Sequence, residues 1–172
     1  MRKAMSLIAL GVLVGCGGTS VDTSLIDQQT GQGGAGTSGS GTPSQQNADQ
    51  SFGQILNNVR IGNGAAAVTY DSRLDAAAQA HADDMVNRGY FDHRSPEGDD
   101  VYDRIVLQGY RPIAWGENIA GRQLSEAEAL AAWENSPAHD AMMNATSLEE
   151  FGLGRAGSGS GTRWVLVMAT EG

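Results

Sequence analysis

One cysteine serves a chain of 172 residues. With Cys16 alone, no disulfide can form inside the molecule, so any domain it builds must stand on its own apolar core. Residues 17–50 offer no such core. They carry 8 Gly and 10 Ser or Thr, no Lys or Arg, and no apolar periodicity. That composition reads as a flexible tether, spanning on the order of 30–35 Å as a coil. What remains, 51–172, is about 120 residues, enough for one domain.

Residues 1–15 read as a leader. Arg2 and Lys3 precede a short apolar run, Met5 to Val14, about half of what a bilayer core requires. The run closes on Leu13, Val14, Gly15 and Cys16, which resembles the lipobox of bacterial lipoproteins. The resemblance implies cleavage before Cys16, acylation of its sulfur and anchoring in a lipid bilayer, where two or more acyl chains hold stably. Gly17 lacks the Asp that retains enteric-type lipoproteins on the inner membrane, so an exported, lipid-anchored protein is expected, on the outer membrane where one exists. Without the leader, nine basic residues face twenty acidic ones, a net charge of −11. That balance argues against nucleic acid and against a polybasic membrane patch.

Within the domain, "SFGQILNNVR" has helical spacing with Ser51 as its cap, and "AAAVTYD" is a short extended run. "DSRLDAAAQAHADDMVNRG" is the strongest helix, capped by Asp71 or Ser72 and stopped by Gly89. Asp99 and Asp100 introduce another, ending at Gly109, and Ser125 with Glu128 forms a capping box for a third. "LEEFGLGRAG" and "TRWVLVMA" make a C-terminal β-hairpin. Two literal G-x-G-x-x-G matches, 31–36 and 152–157, lack the strand–turn–helix context of a nucleotide site. The acidic run Glu97, Asp99, Asp100 and Asp103 lacks the alternation of a calcium loop and reads as capping. The three tryptophans, among small or apolar neighbours, are expected in the core. Helices around a small, mostly antiparallel sheet define an α+β domain.

Two of the three histidines stand beside Ser-Pro turns, in "YFDHRSPEGDD" and "AWENSPAHDAMM". His81, on the apolar face of the strongest helix, reads as a buried imidazole bonded to backbone. His93 follows Tyr90 and Phe91, expected to bury, and precedes a turn, so it can face a cleft. In "NSPAHD", Ser136 caps a helix, Pro137 takes its first position and His139 lies among the unpaired amides. The positive helix end disfavours imidazolium, so His139 is expected to be neutral, free to accept a hydrogen bond or bind a metal. Glu117, in "WGENIA", is a carboxylate in an apolar setting and needs a cationic, imidazole or metal partner.

"LDAAAQAHADDMVNRGYFDHRSPEG", "GYRPIAWGENIA", "AAWENSPAHDAMMN", "FGLGRA" and "WVLVMA" together resemble the bacterial branch of the CAP superfamily, which includes cysteine-rich secretory proteins, antigen 5 and plant pathogenesis-related proteins of class one. The resemblance covers about 51–169. It implies a three-layer α-β-α sandwich with a cleft lined by two His and two acidic residues. Carried over, these are His93, His139 and Glu117, while Ser136 stands where the second acid falls. Glu134, two residues earlier, lies about 200° away around a helix and cannot replace it.

Three functions fit this set. The leading one is a binding or interaction module of the cell envelope, whose cleft takes a small molecule, lipid or other envelope ligand. No G-x-S-x-G elbow or H-E-x-x-H helix occurs. The alternative is a metal-dependent hydrolase, with His93, His139 and Glu117 holding zinc in an open site. Third, the same side chains form only a satisfied polar network that knits two loops.

Overall fold

The computed structural model describes residues 43–172, with side chains from Gln50 onward. The leader, the lipobox Cys16 and the tether up to residue 42 lie outside the described residues.

The first helix, α1, runs Pro43–Gly62, starting eight residues before the expected cap at Ser51. Proline is at home in a first turn, and nothing between 44 and 50 is a Gly or Pro that would stop a helix. Ser51 is therefore inside α1, where its hydroxyl donates to Glu126 Oε2 at 2.8 Å. A two-residue strand β1, Thr69–Tyr70, leads into α2, Ser72–Arg88. Asp71 caps α2 by accepting the amides of Arg73 and Leu74, and Gly89 ends it in the left-handed region at φ 72°. Helix α3, Val101–Leu107, begins with a full capping box between Asp100 and Asp103. Strand β2 is Pro112–Gly121, and helices α4, Glu126–Glu134, and α5, Pro137–Met143, follow. The chain closes with β3, Glu150–Ala156, and β4, Arg163–Glu171. Ser125 accepts the Glu128 amide as expected, but Glu128 reaches back to the Leu124 amide, one residue beyond the box.

The four strands form one sheet in the order β1-β3-β4-β2, antiparallel except for the β1–β3 pair. The expected C-terminal hairpin is β3–β4. Side chains alternate faces along a strand, and β4 is apolar on both. Trp164, Leu166 and Met168 join Phe52, Leu56, Leu130 and Trp133 in one core. Val165, Val167 and Ala169 join Leu74, Met85 and Ile105 in the other. Helices α1, α4 and α5 thus cover one face, and α2 and α3 cover its opposite. The domain is the α+β three-layer sandwich.

Helix α2 lies almost backbone to backbone on β3. A Cβ at Gly152 would stand 2.0 Å from the Asp75 amide nitrogen, and one at Gly154 2.3 Å from the Ala78 carbonyl. These are two of the three glycines of the 152–157 match, and their role is close packing. No helix among the described residues is long and apolar enough to cross a membrane.

Two expectations of burial fail. Phe91 is 49 % exposed, with the Arg163 guanidinium 5.3 Å over its ring. Trp115 is 45 % exposed, because it sits near the start of β2, the edge of the sheet.

Candidate functional site

The site is built on β2. Its "PIAWGENIAG" mixes glycines and polar groups with apolar ones, so it carries no strand periodicity, yet it pairs with β4 along nearly its whole length. The side chains of 117 and 118 leave it on opposite faces. Glu117 goes to the face covered by α2 and α3, and its side chain is only 2 % exposed. One carboxylate oxygen pairs with His93 Nδ1 at 2.8 Å, the other accepts from Arg104 Nη2 at 2.7 Å. The buried carboxylate thus has both an imidazole and a cation as partners, the requirement read from its apolar setting. Arg104, on α3, was not identifiable from the sequence as a partner. Only its position one turn into a helix with an acidic start was visible there. It also donates to the backbone oxygens of His93 and Asp99, at 3.0 and 3.1 Å, and so fixes the 93–99 loop over Glu117.

His81 supports the same loop from below. It is buried, with Nε2 3.0 Å from Asp92 O and 4.0 Å from Glu117 Oε1. A carbonyl only accepts, so Nε2 carries the proton. This is the buried, backbone-bonded imidazole expected. Burial lowers its pKa, against the opposing pull of Glu117. His93, 53 % exposed, is shifted the other way, since its hydrogen bond to Glu117 raises its pKa more than partial burial lowers it.

His139 arrives from the other face. Asn118 Nδ2 donates to the His139 carbonyl at 3.0 Å and ties α5 to β2. The half-buried His139 ring makes no hydrogen bond among the described residues. Its pKa is lowered, first by burial and then by the charge of His93. The direction is the one expected, but the leading cause is desolvation and not the helix end. Ser136 holds the N-cap position of α5, with Pro137 next, yet its side chain makes no capping hydrogen bond. Glu134 is exposed at the end of α4.

His93 and Glu117 therefore meet directly, and His139 lies near enough to feel the charge on His93. His93 Nδ1 is taken up by Glu117, so the two imidazoles offer His93 Nε2 and the unbonded His139 ring, polar groups suited to a partner that can donate or accept, such as a hydroxyl. The geometry does not fit an open three-ligand zinc site. Both Glu117 oxygens are engaged, and among the described residues no three His, Cys, Asp or Glu side chains converge to hold a metal ion.

A helix–sheet–helix sandwich with an edge-strand carboxylate held by an imidazole and an arginine defines the class. The model of the CAP, or cysteine-rich secretory protein, family matches residues 54–169, more than half of the chain, and the chain belongs to that family. It is similar to the uncharacterized protein YkwD of Bacillus subtilis, 32 % identical over 107 residues, covering 62 % of this chain and 42 % of that protein. The uncharacterized membrane protein YlbC of the same organism is 26 % identical over 110 residues, covering 64 % and 32 %. The chain spans less than half the length of these curated relatives. Among solved structures, an extracellular protein containing an SCP domain from Bacillus anthracis superposes with a TM-score of 0.67 at 23 % identity, covering 78 % of this chain and 45 % of that one. An outer surface protein from Borrelia burgdorferi gives 0.63 at 17 % identity, covering 72 % and 92 %. At these identities the likeness is one of fold.

Proposed function

We propose that this CAP-domain protein is a ligand-binding module of the cell envelope, exported and held to a membrane through acylated Cys16. The observation that carries the binding reading is the saturation of Glu117 between His93 and Arg104. A carboxylate so held is a positioning group and not a free base, and it leaves His93 Nε2 and the His139 ring as recognition groups. Export is supported by the leader and by two proteins of the same fold, one extracellular and one an outer surface protein. The lipobox and the Gly- and Ser-rich tether support anchoring. On this reading Ser136 adds a hydroxyl to the cleft, where its side chain is uncommitted.

A metal-dependent hydrolase on the same residues has less support, since Glu117 would first have to leave Arg104. The test of the binding reading is native recovery. The full chain, purified from its own membranes, should carry a co-purifying small molecule detectable by mass spectrometry, depleted when His93→Ala and His139→Ala are combined. Equal recovery from both proteins would overturn it.

A further inference from the structure

Three tryptophans divide two to one. Trp133 and Trp164 are buried, and each indole N–H finds a backbone oxygen, Ile119 O at 3.1 Å and Gln123 O at 2.9 Å. Trp115 is 45 % exposed, and its N–H makes no hydrogen bond among the described residues. Its ring lies 4.9 Å from that of Tyr102, at 48°, and Tyr102 is itself 41 % exposed with an unbonded hydroxyl. Buried indoles and phenols seek partners, and two aromatic groups held together with both polar tips open are prepared for something outside the chain.

The place of this pair narrows what that is. Trp115 stands two residues before Glu117, on the same face of β2, so it adjoins the His93–Glu117–Arg104 cluster. It also walls an open hollow of about 340 Å³, with Met142, Ser147 and Leu148 on another side. Tyr102 is flanked by two exposed carboxylates, Asp99 just before α3 and Asp103 on it. A bilayer or an apolar protein face laid on the pair would strip water from those charges at high cost. A sugar would not, because its C–H face stacks on the ring while its hydroxyls donate to carboxylates and exchange hydrogen bonds with imidazoles. The chain's net charge of −9 disfavours anionic ligands in the same way.

We propose that Trp115, braced by Tyr102, is a stacking platform for a neutral oligosaccharide that continues into the His93–His139 cleft. The inference rests on the binding reading above and names its ligand class. Chitotetraose and cellotetraose, titrated into the full chain in detergent, serve as probes, read by calorimetry and by acrylamide quenching of tryptophan emission. At least one sugar should bind and protect the exposed indole from quenching. Trp115→Ala should weaken that affinity about tenfold or more, with unchanged circular dichroism, and Trp115→Phe should recover part of it. Binding equally strong in Trp115→Ala, no binding of either sugar, or binding only to phosphatidylglycerol vesicles would each overturn the platform. His93→Ala with His139→Ala separates the two ideas. Sugar binding lost in Trp115→Ala but intact in the His pair keeps the platform and removes the cleft, and the converse keeps the cleft alone.

Discussion

Glu117 and Asn118 are neighbours on one edge strand whose side chains bind opposite layers of the domain. Glu117 receives His93 and Arg104 from the α2–α3 side, and Asn118 donates to the carbonyl of His139 on α5, 3.0 Å away. Two distant Ser-Pro turns are brought to one place by a single dipeptide.

Removing the Glu117 carboxylate leaves Arg104 buried without its counter-charge, and Arg104 Nε already has no hydrogen-bond partner. Glu117→Ala should cost about 3 kcal/mol, since breaking a buried pair strands the remaining charge. Urea unfolding measures this, and a loss below about 1 kcal/mol would show that the pair is not held as described.

The histidines give the pH dependence two opposite signs. The folded pKa of His93 is raised, so its pairing with Glu117 stabilises fully below the unfolded value of about 6.5 and is lost as pH rises through the folded value. His93→Gln should therefore show its largest stability deficit in mild acid and a shrinking one towards alkaline pH. The folded pKa of His81 is lowered, so below about 6.5 the unfolded chain takes a proton that the folded one refuses. His81→Gln should lose less stability than the parent between pH 7 and 5. Denaturation midpoints across pH 5–8 check both signs.

Zinc titration at pH 7 should reveal no stoichiometric site tighter than about 1 μM, because the three-ligand set is incomplete. Stoichiometric uptake abolished by His93→Ala with His139→Ala would move the same side chains to the hydrolase reading.

Gly154→Ala drives a methyl group to 2.3 Å from the Ala78 backbone and should cost about 2–3 kcal/mol. Gly62→Ala, at the end of α1 with nothing within 4 Å, should be neutral or stabilising by about 0.5 kcal/mol. Thermal melts of the two variants make the comparison.

Cys16→Ser should shift the protein from the membrane to the soluble fraction and abolish incorporation of labelled palmitate. Unchanged fractionation would remove the anchor.

Much of the architecture was legible because local rules and tertiary packing agree. The Asp71 cap, the Gly89 stop and the apolar strand at 164–169 each follow from one residue type in one place. Strand β2 was not legible, since an edge strand that carries Glu117 and Asn118 has no reason to alternate apolar and polar. Trp115 was misplaced for a related reason: small neighbours suggest a core, but nothing in them reports the sheet edge. His93 beside Glu117 could be anticipated from the cost of burying a carboxylate. Arg104 could not, because its partner is 13 residues away across a turn.

Strand β4 contributes alternate side chains to both cores. Neither layer of helices can therefore detach without opening the interior that the other depends on. Local fraying should stop at the loops, and the domain should melt all-or-none. For a chain with no cysteine pair to limit its unfolded state, that cooperativity is its chief protection against partial opening.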